Sequence, residues 1–356
     1  MLKGNRGEWS EIYVFLNLVS EGKIYTADSN LQELSKDAFI PIVRVIRKER
    51  NSPTISYYTG DTISIESESG KTISQISRSD FEQQARNLYY EIVSLNHNSG
   101  SFSVPQTETF MDRIFVKSLK APSSDKADII MQIQDARTGT DPIIGWSIKS
   151  ELGSPPTLLN AGKTTNFVFA VHNIDDTSAA QINSINTRAK IKDRLIAIST
   201  IGSISFLRTS NSTFNRNLRL IDSLFPQIIA ESLMRYYLGE TPDCRAIVET
   251  LEETDPLNLG KGMYVYKFKK FLCAVALGMK PSYEWDGHDD ATGGYVIVRE
   301  DGKVLAFHVY NRDRFEDYLL DNTKFETAST SRHEFGKLYK TENGYAINLN
   351  LQIRFK

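Results

Sequence analysis

The stretch Ser123–Glu151, SSDKADIIMQIQDARTGTDPIIGWSIKSE, decides how the rest of the chain is read. A β-strand begins at Asp128 and runs through Ile129, Ile130, Met131 and Ile133. Arg137–Pro142 supplies turn signals, with Gly139 and Pro142 as punctuation. The second strand, Ile143–Ser150, is apolar until Lys149 near its end. Two strands joined this way bring the acid at the start of one to the lysine at the end of the other. A carboxylate there can reach a hard cation through oxygen. The ammonium can stabilise developing negative charge or position a water. Such a pair is the skeleton of a metal-dependent phosphodiesterase site. The plain alternative is a loop-capping aspartate and a solvated strand-end lysine.

Working outward, Trp9, Ile12, Tyr13, Leu16 and Val19 recur at helical spacing, which predicts a helix over 8–20 ended by Gly22. A short second helix is expected over 28–36, capped by Asp28 or Ser29. Strands follow at 39–47, 54–58, 62–66 and 71–76, with a hairpin turn at 67–70. This β-rich stretch, about 38–77, reads as an insertion on the core or an accessory subdomain. Helices are expected over 80–95, capped by Ser79 or Asp80, and over 108–117. Beyond the central strand pair lie a loop at 153–165, a strand at 166–172 and a polar helix at about 178–192. Then come two further strands, Arg194–Ser199 and Ile204–Leu207. Residues 215–279 are mostly helical, with Pro226 in a first turn and Gly278 closing the last helix. Strands at 294–299 and 304–310 flank the turn Glu300–Lys303, and a helix at 312–321 and a strand at 345–355 complete the chain. The expected class is α/β (α+β): a mixed central sheet flanked by helices, with a small N-terminal β insertion and an α+β C-terminal region. Residues 1–210 form the expected core and 211–356 a helical, then β-rich, region.

A chain of 356 residues buries a sizeable core, and 40% hydrophobic with 24% charged residues is ordinary for a globular protein. The net charge of −2 provides no global field for polyanions, although a local basic cleft is compatible with it. Cys244 and Cys273 stand far apart without metal-ligand spacing, so both are expected as buried thiols. The N-terminal apolar run is interrupted by Glu8 and Glu11 and is too short to span a membrane; a cytoplasmic location is expected.

Asp128 and Ser147-Ile148-Lys149 resemble the PD-(D/E)xK nuclease signature, with Ser147 where the second acid belongs. The missing anionic ligand must come from elsewhere. Lys3-Gly4-x-x-Gly7-x-x-x-Glu11 is similar to the opening of MutH-type nucleases, in which a first-helix glutamate joins the metal site. Glu11 lies off the apolar centre of its helix, so a solvent-facing acid is the alternative, and Glu8 is the second choice as donor.

With KGNRGEWSE at 3–11, SDKADI at 124–129 and WSIKSELGSPPTLLNAGKTTNF at 146–167, nearly the whole chain resembles a HpaII-type restriction endonuclease. The resemblance implies a type II enzyme with a restriction-endonuclease-like fold, Mg²⁺ dependence, and cleavage of double-stranded DNA at CCGG after the first C. It implies Asp128 as metal ligand, Lys149 as catalytic lysine, Ser147 at the second-acid position and the Ile148 carbonyl as coordinating group, while the MutH-like pattern implies Glu11 as first-helix ligand. A cognate DNA methyltransferase would protect the same site in the host. Cutting both strands of a palindrome points to a homodimer, while a monomer nicking each strand in turn stays open.

Reading DNA calls for phosphate-binding cations and amides and for bidentate groups at guanine. Asn160, Lys163 and Asn166 follow the catalytic strand in a loop of small residues, and an ordinary turn is the alternative. Ser329–His333 reads as a polar loop, with Arg332 for guanine and His333 for an acceptor edge. Asp286–Asp290 is read as a solvated acidic loop, and Arg44–Arg50 and Lys267–Lys270 as solvated basic faces. Two other classes remain at this stage. A DNA-binding module with a decayed nuclease core is motivated by Ser147, and a repair-type nuclease would show looser specificity.

Overall fold

Helix α1 (Arg6–Glu21) opens on a capping box: the Asn5 side chain accepts the Glu8 N–H, and the Glu8 carboxylate accepts the Asn5 N–H. Trp9, Ile12, Val14, Leu16 and Val19 along it are fully buried. Gly22 ends it in the left-handed conformation (φ 65°), where glycine carries no Cβ penalty. The computed structural model describes residues 1–49, 53–95, 100–120, 127–153 and 155–356.

After α1 come β1 (Lys23–Thr26), β2 (Phe39–Arg47), β3 (Ile55–Tyr58), β4 (Thr62–Ser67), β5 (Thr72–Ser77), α2 (Arg78–Ser94) and α3 (Pro105–Arg113). The central pair is β6 (Ile129–Ile133) and β7 (Ile143–Ser150), followed by β8 (Thr157–Leu159) and β9 (Asn166–His172). A helical stretch holds α4 (Asp176–Ser184), α5 (Lys190–Ile201), α6 (Ser212–Ile221), α7 (Phe225–Leu238), α8 (Cys244–Thr254) and α9 (Met263–Ala276), with β10 (Ser203–Thr209) between α5 and α6. The chain ends with β11 (Gly294–Val298), β12 (Val304–His308), α10 (Arg312–Asp321), β13 (Thr323–Phe325), α11 (Thr330–His333), β14 (Leu338–Thr341), β15 (Gly344–Asn350) and β16 (Ile353–Phe355).

Two compact units emerge, residues 1–156 with 289–318, and residues 157–288 with 319–356. The first holds one nine-stranded mixed sheet in the order β1-β12-β11-β7-β6-β2-β3-β4-β5. Strands β11 and β7 are parallel, as are β1 and β12, and the other pairings are antiparallel. Helix α1 packs on α2 and touches β2 and β7, so its apolar stripe closes the core over Trp146, Ile148, Val296 and Val298. Each such large side chain contributes roughly 1.5–3 kcal/mol on burial. In the second unit, sheets β10-β9-β15-β14 and β13-β16-β8 are accompanied by the helices α4–α9.

The mixed sheet with flanking helices agrees with the expected fold class. The 38–77 stretch extends the main sheet, because β2 pairs with β6 directly. The units do not coincide with a division at 210 and 211. Residues 289–318 return to the first unit because β11 needs β7 as its parallel neighbour. Residues 28–36 form turns instead of a helix. Asp28 Oδ1 accepts the N–H groups of Asn30 and Gln32, a local competition that turns win over helix. Arg194–Ser199 is helical within α5, not a strand, since Ile191, Leu195 and Ile198 bury one helical face. Ser77 caps α2, and α3 starts earlier than expected, at Pro105. The 329–333 loop contains the short helix α11. Cys244 and Cys273 are buried, as expected. Among the described residues no helix is long and apolar enough to cross a membrane.

Candidate active site

Strands β6 and β7 pair so that Ile129 faces Trp146, which sets Asp128 opposite Ser147. Gly145 lets the strands close: a Cβ there would stand 2.5 Å from that of Ala127, the residue before Asp128. The Asp128 N–H donates to the Trp146 carbonyl at 3.0 Å. Its Oδ2 accepts the Ile148 N–H at 2.7 Å and the Ser147 hydroxyl at 3.1 Å. Ser147, at the second-acid position, is thus a donor that orients Asp128. An extended residue directs its N–H and C=O to the same edge of the strand, so the Ile148 carbonyl opens on the edge where Asp128 stands.

Helix α1 is fastened to the end of β7 by the Ser150 hydroxyl donating to Ser10 at 2.9 Å. Their neighbours, Lys149 and Glu11, therefore meet in one cleft of about 370 Å³, which Lys120 and Ile148 also line. Glu11 is partly buried, not solvent-facing. Burial pushes its carboxyl up to about 8; the Asp128 charge adds to the rise, and Lys120, Arg47 and Lys149 oppose it. Glu8 is held differently. It accepts the Asn5 N–H at 2.7 Å and pairs with Lys120 at 2.9 Å. Burial raises Glu8, but Lys120 and the Asn5 N–H outweigh it and leave the carboxyl below its usual value.

Two residues escaped the sequence reading. Lys120 reaches the cleft from beyond α3 and, with Arg47, bears on Glu11. Arg47 is buried and pairs with the buried Glu49 at 2.9 Å, and Arg44 bonds Gln132 and Tyr58, so these members of the basic 44–50 run are not a solvated face. Lys267 likewise pairs with Asp222 and is mostly covered. No periodic signal marks such positions, because their partners lie far away in sequence. Arg50 lies outside the described residues.

Among the described residues no group of three or more His, Cys, Asp and Glu is arranged to hold a metal. Two carboxylates, a main-chain carbonyl and water nonetheless suit Mg²⁺, which keeps several waters and takes one or two carboxylates. The rise at Glu11 beside Asp128 marks a place where a cation would relieve like-charge repulsion.

The five expected DNA contacts lie in the second unit. The structure joins their two loops, since the Asn166 side-chain amide donates to the His333 carbonyl at 2.8 Å and Lys163 pairs with Glu334. Asn166 is buried and also accepts from Asn350 at 2.7 Å, so it ties the loops together from inside and is not open to a duplex. Asn160, Lys163 and Arg332 are exposed, and His333 is half-buried. Asp286 holds His288, an exposed pair as expected of a solvated loop.

Residues 5–355 match the model of the HpaII restriction endonuclease family. The chain belongs to that family. It is 41% identical to the type II restriction enzyme HpaII of Haemophilus parainfluenzae, over 99% of this chain and 98% of that one. No solved structure matches it. As a family member it is a type II site-specific deoxyribonuclease, an enzyme of a restriction-modification system. Its family cleaves DNA at specific sequences, and enzymes of this class use a divalent metal.

Proposed function

We propose that this chain cuts double-stranded DNA at CCGG, after the first C, by Mg²⁺-dependent hydrolysis. The convergence of Glu11 on Asp128 and Lys149 carries the mechanism. The target sequence rests on the family resemblance. Asp128 and Glu11 would hold Mg²⁺ through carboxylate oxygens, and Ile148 through its carbonyl. A cation held by these groups would supply Lewis acidity, making a water more acidic and offsetting charge on the phosphate. Ser147 and the Ile148 N–H hold the Asp128 carboxylate in one orientation. The Lys149 ammonium stands beside the attacking water and the developing charge at phosphorus. Direct attack by water inverts phosphorus, since among the described residues no histidine or cysteine lines this cleft to support a covalent step.

In the second unit, Asn160, Lys163, Arg332 and His333 contact the duplex, with Asn166 positioning the loops. Two copies of the chain cut the two strands, in a cytoplasm where a methyltransferase protects the host's sites. A decayed site is disfavoured by the role Ser147 keeps: its hydroxyl holds Asp128 in place. Incubating the protein with plasmid and Mg²⁺ and sequencing the ends tests the reading. Ends beginning at CGG are expected. Cutting at unrelated sequences, or tight CCGG binding with no cutting in Mg²⁺ or Mn²⁺, would overturn it.

A further inference from the structure

A cavity of about 620 Å³ lies wholly in the second unit, where the start of α5 faces α11. Lys190, Arg194 and Lys337 line it together with Asn186, Thr330 and Ser331. Arg194 is 3% exposed, and among the described residues its guanidinium donates to carbonyl oxygens, those of Gly336, Asn183 (3.1 Å) and Ile185 (2.7 Å). Its Nε has no partner among the described residues, and no carboxylate offsets its burial. A buried cation without a counter-ion is costly unless an anion completes it.

The rim adds to this field. Lys190 and Lys337 form no ion pair among the described residues, and Glu334, the acid lining the cavity, is engaged by Lys163. Helix α5 opens here with Ala189 at its cap position, a side chain that cannot accept from the first-turn N–H groups. Those groups and the helix dipole favour an anion. Thr330 and Ser331 supply hydroxyl donors suited to phosphate oxygens.

We propose that this cavity seats a backbone phosphate of the duplex, with Lys190 and Lys337 as its contacts and Arg194 and the start of α5 as the fixed field behind them. This rests on the proposed DNA cleavage and adds Lys190, Arg194 and Lys337 to the residues that would meet the duplex. Phosphate contacts position a duplex without reading it, and each neutralised phosphate contributes roughly −0.9 to the log–log salt slope.

The test is fluorescence anisotropy with a short CCGG duplex, and with the same duplex scrambled, across salt in metal-free buffer. Wild type is compared with Lys190→Gln, Lys337→Gln and the double variant, with melting temperatures to show that each is folded. The double variant is expected to lose about 0.9 of a unit of slope on both duplexes, so its affinity drop between 50 and 200 mM salt shrinks about three- to fourfold. Each single variant should lose only a part of this, because the other lysine still meets the same phosphate. An unchanged slope in a folded double variant would overturn the phosphate seat while leaving DNA cleavage standing. A loss confined to CCGG would overturn it too, by making the lysines base readers. A wild type that binds neither duplex would sink the cleavage reading along with it.

Discussion

The two proposed functional regions solve opposite problems. At the β6–β7 corner of the first unit, charges are crowded and partly withdrawn from water, so the Glu11 carboxyl rises to about 8. In the loops of the second unit proposed to meet DNA, the expected contacts are mostly exposed, and the Lys163–Glu334 pair is 63% and 64% open to solvent. The difference follows from the chemistry. A hydrolytic corner works through preorganised charge that small shifts would spoil. A surface for a polyanion works through cations that are free to trade water and loose partners for phosphate.

The comparison predicts where substitutions hurt. Lys149→Ala should cut single-turnover cleavage about 10²–10³-fold while duplex affinity, read by anisotropy, changes only a few-fold. A parallel loss of both would mean that Lys149 serves binding and would blur the two regions. Glu11 makes the next largest signal, in stability. Its folded pKa of about 8 lies above the unfolded 4.5, so the folded protein keeps a proton that the unfolded chain releases. In metal-free protein that contribution is whole below pH 4.5 and is lost as pH rises through about 8. Glu11→Gln should therefore be more stable than wild type at pH 8, by on the order of a few kcal/mol, with the gap closing toward pH 4.5. Urea denaturation at the two pH values measures this, and a pH-independent gap would contradict it.

A smaller effect is expected one step back from the chemistry. Ser147→Ala removes the hydroxyl that orients Asp128 and should cost about tenfold in rate, a typical loss for an outer-shell partner; no change would leave the Ile148 N–H as sufficient. Smallest of all, Lys163→Ala should move stability by less than about 0.5 kcal/mol, as for other exposed pairs. A larger shift in the thermal melt would show the recognition loop to be as preorganised as the catalytic corner.

What the sequence made legible follows the same divide. Helix α1 and the β6–β7 pair were readable because their apolar spacing and turn residues are local, and Asp128 and Lys149 came with the strand ends. Residues 194–199 were not, since the run Leu-Ile-Ala-Ile suits a strand or a buried helical face, and packing of Ile191, Leu195 and Ile198 chose the helix. Lys120 and Arg47 were hidden because only tertiary structure brings them to Glu11. Asn166 looked like a DNA contact because a polar residue after a loop carries no mark of burial, yet Asn350 and His333 claim its side chain.

The central claim is that the acid missing at Ser147 is supplied by Glu11 and not by Glu8. Single-turnover cleavage of a CCGG duplex over a Mg²⁺ titration, comparing Glu11→Gln with Glu8→Gln, tests it most directly. Glu11→Gln should lose at least about 10²-fold in rate and need more Mg²⁺, and Glu8→Gln, which only loosens the α1 cap and frees Lys120, should stay within about tenfold. A Glu11→Gln enzyme that cuts near the wild-type rate, beside a Glu8→Gln enzyme that does not, would contradict the account.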